Sequence, residues 1–156
     1  MHIQTSNGVS LITLPMRSTL NRVKEDVDLM PEKLFGEFGR AGIQPTGPMM
    51  FVYNGITADR DAEFDLNISL PVSVQQAKNY TGDHPVIRLE PFQFVETVMY
   101  GDINKIDVNA YEPLIGQIIG DGLTMTGFVR EVYQNFVDMT SEDNETRVQI
   151  GVQPRS

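Results

Sequence analysis

The chain has 156 residues, with 12 Lys and Arg against 21 Asp and Glu, and so carries a formal charge of −9. Its 40% apolar content suffices for the core of one domain, or of two small halves fused into one, and argues against bulk disorder. The acidic balance argues against direct nucleic-acid binding, which needs clustered Lys and Arg, and the absence of cysteine excludes disulfides, thiolate metal sites and thiol catalysis.

The N-terminus MHIQTSNGVSLITLP lacks a basic region, and its apolar run is too short for a signal peptide. The longest apolar run, residues 48–53, is too short to span a bilayer, so the expectation is a cytoplasmic protein without membrane association. Residues 9–16 read as a first strand. Residues 17–29 are ambiguous, since Leu20, Val23 and Val27 fit a short helix while the rest reads as loop. Pro31 then opens a helix with Met30, Leu34, Phe35 and Phe38 on one face and Gly42 at its C-terminal cap. A strand over 49–54, a turn over 54–61 and a strand over 63–72 follow. In the last of these, Leu66, Ile68 and Leu70 point inward and Asp65, Asn67 and Ser69 outward. Residues 73–85 are polar and read as a linker. A second half begins near Val86, with a strand over 92–101. Next comes a helix over 105–120, with Tyr111, Leu114, Ile115 and Ile118 on one stripe and Gly122 as its cap. The strand over 122–136, a turn over 140–145 and a last strand with Val148, Ile150 and Val152 on one face complete the chain.

The halves look like one unit used twice. Shifted by 80 positions, residues 34–53 lie on 114–133 without a gap and are identical at seven of twenty positions. The matches include Gly42/Gly122, Gly47/Gly127 and Tyr53/Tyr133. Each half reads as strand–helix–strand–strand, about 9–72 and 86–154, and neither is large enough to stand alone. The expected fold is therefore α+β: a single domain over 1–156, with an antiparallel sheet, two main helices and a central pocket at the pseudo-twofold junction.

In the 122–136 strand, Glu131 shares a face with Val129 and Tyr133, while Arg130 points the other way. An unpaired carboxylate on an apolar face costs on the order of several kcal/mol, and a bound cation would offset it. Under the repeat, Glu131 aligns with Phe51, so the two positions are expected to line one central region from opposite sides. The candidate ligand-binding residues are Glu131, Tyr133, Tyr53, Phe51, Tyr111 and Tyr100, with the rings stacking on a small organic cation. Strand glutamates also serve as solvent-facing or structurally hydrogen-bonded groups, and aromatic residues at this spacing also simply fill cores. With only His2 and His84, a histidine metal site is not expected, nor is a cofactor. No G-x-S-x-G elbow or phosphate-binding loop is present.

Several stretches in order resemble the gyrase-inhibitor-like family, the effector-binding domains of AraC-type and multidrug-responsive transcription activators. These stretches are GPMMFVY (47–53), NISLPV (67–72), Tyr100–Gly101, AYEPL (110–114), GLTMTG (122–127), REVY (130–133) and VQIGVQP (148–154). The resemblance implies a duplicated fold that binds small, often lipophilic cationic molecules in a central pocket, with the functional glutamate at Glu131 and Tyr133 beside it. The chain departs from the family in having no tryptophan, and the early first strand leaves no room for a preceding helix-turn-helix. That departure points to ligand sequestration, or to action through a protein partner in transcription regulation or gyrase. The resemblance also implies two alternatives to ligand binding: hydrolysis with Glu131 as general base, and a gyrase-inhibitor-type interaction module. The oligomeric state is open.

Overall fold

In the computed structural model, which describes residues 2–154, the strands form one eight-stranded antiparallel sheet, curled, with two main helices packed on one face. The elements in chain order begin with β1 (Gln4–Thr5), β2 (Val9–Ser18), the short turn α1 (Val23–Asp26), α2 (Met30–Ala41), β3 (Met50–Asn54) and β4 (Phe64–Val72). They continue with α3 (Val74–Asn79), β5 (Val86–Leu89), β6 (Gln93–Tyr100), α4 (Glu112–Gly120), β7 (Leu123–Asn135) and β8 (Glu145–Pro154). The sheet order is β1-β6-β8-β7-β3-β4-β2-β5. It reads as a palindrome about the β7–β3 pair, with β2-α2-β3-β4 on one side matched by β6-α4-β7-β8 on the other. The outer strands cross over: β5 pairs with β2, and β1 pairs with β6.

Alternation decides the faces. On the helix-covered face, Leu66, Ile68 and Leu70 of β4, Val148, Ile150 and Val152 of β8, and Val129 of β7 meet Leu34 and Phe38 of α2 and Leu114 and Ile118 of α4. Helix α2 ends as expected at Gly42, whose left-handed φ of 68° suits a residue without Cβ, and the Ile43 N–H returns to the Phe38 carbonyl at 3.0 Å. Its buried stripe is narrower than the sequence suggests. Met30, Leu34 and Phe38 face the sheet, whereas Phe35, one residue round the turn, is exposed. The far face has its own apolar cluster of Leu11, Met50, Val52 and Val132. That cluster explains why Ser69, expected to face solvent, is fully buried.

Three local features differ from the reading by pattern. The expected linker contains α3, nucleated by a reciprocal cap in which Ser73 and Gln76 each bond the other's backbone N–H. The expected helix over 105–120 is composite: a 3-10 turn (Ile103–Lys105), a π-helical turn (Asp107–Tyr111), then α4. Strand β7 shifts register between Met125 and Val129, where Gly127 has φ 86° and its carbonyl accepts the N–H groups of Gly55 and Ile56. Among the described residues, no helix is long and apolar enough to cross a membrane.

Candidate functional site

Strands β3 and β7 are the two central strands, each hydrogen-bonded on both sides, so their side chains stand on the most fixed backbone in the fold. Helix α2 packs on β4 and β2, and α4 packs on β7 and β6, so the seam between the helices falls over the central pair. Beneath it, alternation puts Phe51 and Tyr53 of β3 on the same face as Val129, Glu131 and Tyr133 of β7. The register sets Phe51 directly across from Glu131, with Val148 of β8 on the other flank. Phe51 is thus a cross-strand neighbour of Glu131, a closer relation than the expected one across a cavity.

Glu131 is 5% exposed and meets three phenols. Its Oε1 accepts hydrogen bonds from the Tyr133 hydroxyl at 2.7 Å and the Tyr53 hydroxyl at 3.1 Å, and its Oε2 accepts one from the Tyr111 hydroxyl. The π-helical turn gives Tyr111 its place, because widening the helix by one residue just before α4 changes where the ring projects. The rings support one another: Phe51 meets Tyr133 edge-on at 4.8 Å, and Tyr53 meets Phe64 edge-on at 5.5 Å. Tyr53 and Phe51 are buried, whereas Tyr111 and Tyr133 are half-buried and form the exposed side of the cluster. Tyr100, the remaining candidate, is not brought to the site. It lies on β6 with the opposite parity to Val95 and Met99 and is 69% exposed.

Burial pushes the Glu131 pKa up, the bonds from Tyr111, Tyr133 and Tyr53 pull it down, and the Asp107 charge pushes it up again; burial prevails. Burial, and then the Glu131 charge, holds all three phenols well above the ordinary tyrosine range, so they remain donors. Among the described residues no Lys, Arg or His forms an ion pair with Glu131. The carboxylate is solvated by neutral donors, each worth about 1.5–3 kcal/mol when bonded to a charged group, and lacks a countercharge. The sequence reading missed Asp107, whose spacing of four from Tyr111 places it on the same helical turn and adds a second negative charge. It also missed Thr146, opposite Tyr133 on β8, whose buried hydroxyl has no hydrogen-bond partner. Among the described residues no group of three or more His, Asp or Glu is arranged to hold a metal ion.

No protein-family model matches the chain, and no curated protein matches it. Solved structures do. The structure of SAV2435 bound to tetraphenylphosphonium superposes with a TM-score of 0.69 at 13% identity, covering 97% of this chain and 93% of that one. The C-terminal domain of EcmrR superposes with a TM-score of 0.76 at 14% identity over 99% and 97% of the two chains. EcmrR in its DNA complex gives 0.77 at 15% identity, with 57% of that longer chain covered. A hydrolase from Listeria innocua matches with a TM-score of 0.56 at 13% identity over 97% and 91%. The chain therefore has the fold of SAV2435 and of the EcmrR C-terminal domain, in keeping with the resemblance that its sequence motifs carry.

Proposed function

We propose that the Glu131 cluster binds a small amphipathic organic cation, with Glu131 as countercharge and Phe51, Tyr53, Tyr111 and Tyr133 as the aromatic wall. The observation that carries this reading is a carboxylate 5% exposed, ringed by phenols and without a basic partner among the described residues. A structural glutamate in a core is ordinarily matched by a cation, because leaving a buried charge unpaired costs on the order of several kcal/mol. Here a ligand completes the pair, and each cation–ring contact adds about 0.5–2 kcal/mol. Asp107 adds attraction at the exposed side. Support from outside the chain is the tetraphenylphosphonium held by SAV2435, a protein of the same fold.

This reading treats residues 1–156 as one ligand-binding unit built of two pseudo-repeats, about 9–72 and 86–154, with the site where their central strands meet. Binding of tetraphenylphosphonium to the wild type, and its loss in Glu131→Gln with the fold intact, is the test. Equal affinity in the two proteins refutes the reading.

A second reading draws on the raised Glu131 pKa and the hydrolase of the same fold. Glu131 would take a proton from water while a tyrosine hydroxyl steadies the developing negative charge on substrate. It predicts turnover of an activated ester or strained ring that Glu131→Gln abolishes. Unchanged substrate after long incubation with wild type dismisses it.

A further inference from the structure

The two faces of the central strand carry opposite charge. Arg130, next to Glu131, projects to the helix-free face, where it is only 9% exposed. Its guanidinium is fixed twice. Nε donates to the Gln149 Oε1 at 2.6 Å, and the group rests over the Phe92 ring, 5.2 Å from its centroid. Phe92 is itself held edge-on by Phe128 at 4.7 Å. Gln149 is locked in turn, because its amide nitrogen donates to Glu96 at 2.6 Å. Glu96 also accepts from Arg147 at 3.2 Å and so is already neutralised.

Among the described residues no carboxylate lies within ion-pair distance of Arg130. Its side-chain hydrogen bond is made through Nε, and the residue lines a groove of about 390 Å³ on this face. Val9, Met50, Phe94 and Val132 give the groove an apolar part, and Gln4, Glu96, Arg147 and Gln149 line the rest beside Arg130. This is a prepared fork: a planar donor of fixed orientation, desolvated on one side and facing a space of small-ligand size. Burial lowers the Arg130 pKa from its ordinary value and the Glu96 charge pulls it back up, so the guanidinium stays charged and an arriving anion offsets the rest of its desolvation cost.

We infer that the helix-free groove is a second ligand site, for an amphipathic monocarboxylate whose carboxylate pairs bidentately with Arg130 and whose apolar body lies on Val132, Met50 and Phe94. A carboxylate matches the fork with two parallel N–H···O bonds. The site is separate from the Glu131 cluster, since the sheet stands between them, and it does not depend on what that cluster binds.

The test uses 2-naphthoate as probe, titrated into the full chain and followed by ¹H–¹⁵N NMR. Wild type is expected to show saturable shifts centred on the Arg130 Nε–H, the Gln149 side-chain amide and the Val132 N–H. Arg130→Met should weaken binding by at least about tenfold. Arg130→Lys keeps the charge but loses the fork and the Gln149 bond. It should fall severalfold, and it carries the test if the Met variant does not fold. Glu131→Gln should bind 2-naphthoate like wild type, whatever becomes of cation binding. No saturable shift in wild type through the millimolar range overturns the inference. So do equal affinities across the Arg130 variants, or shifts centred on the Tyr53–Tyr111–Tyr133 cluster.

Discussion

Replacing Glu131 by Gln removes one charge and almost no volume. The Gln carbonyl can still accept from Tyr133 and Tyr53, and the Tyr111 hydroxyl can rotate to accept from the new NH₂ group. The fold should survive. A cationic centre about 5 Å from the carboxylate, at an effective dielectric of about 20, interacts by about 3 kcal/mol. Desolvation of both ions offsets part of this, leaving about 2 kcal/mol, or about thirtyfold in affinity. At tetraphenylphosphonium a hundredfold above its Kd, wild type should gain about 2.7 kcal/mol of stability. At about 2–4 °C per kcal/mol for a domain of this size, Tm rises by about 5–11 °C. The Gln variant at the same concentration gains about 0.9 kcal/mol, and its Tm rises by about 2–4 °C. Calorimetric Tm with and without ligand reads the difference directly. The same ligand-induced shift in both proteins refutes the assignment of Glu131 as countercharge.

Other outcomes follow from the same geometry. The Glu131 pKa is raised in the folded state, so the folded protein binds the extra proton between the ordinary carboxylate value of 4.5 and the raised one. Stability from this group therefore falls as pH rises through that window, and Glu131→Gln should flatten the fall in a pH series of urea midpoints. Cation affinity runs the opposite way, weakening as pH drops below the raised pKa, and calorimetry in buffers of different ionisation heat should detect proton release on binding. Tyr111→Phe deletes one donor to the carboxylate; it should cost about 1–3 kcal/mol at neutral pH and push the Glu131 pKa higher still, as followed by ¹³C NMR of the carboxyl. Ile118→Ala, at a fully buried position under α4, should cost about 2–5 kcal/mol in urea unfolding. Glu37 is held at about 2 by bonds from Arg40 and Tyr80, so its contribution is present above the ordinary carboxylate range and lost as pH falls toward 2. Glu37→Gln should remove that part of the acid limb.

The parts legible beforehand were those in which local alternation and tertiary packing agree. Val129, Glu131 and Tyr133 share a face because β7 is long, central and regular around them. Gly42 marked the end of α2 because only a residue without Cβ sits easily at that φ. Tyr100 misled because Thr97 interrupts the apolar phase of β6, and without a clear phase a terminal aromatic can be assigned to either face. Phe35 misled for the opposite reason: it is apolar, but the sheet covers only a narrow stripe of α2. The π-helical turn over Asp107–Tyr111 had no signature, since a one-residue widening of a helix leaves no mark in the apolar spacing of the residues that form it. The crossing of β1 and β5 to the other half's edge arises from pairing between segments far apart in sequence, which periodicity does not carry.

The Glu131 cluster has one more consequence, an optical one. The chain has no tryptophan and five tyrosines, so tyrosine alone supplies its near-ultraviolet emission. Three of the five bond to a single carboxylate, a fourth, Tyr80, bonds to Glu37, and Tyr100 stands exposed. A phenol bonded to a carboxylate emits weakly, because the excited ring gives up its proton readily. Under the proposed reading, an occupant that draws Glu131 away from its hydroxyls brightens the protein, so tyrosine emission would report binding with no dye attached.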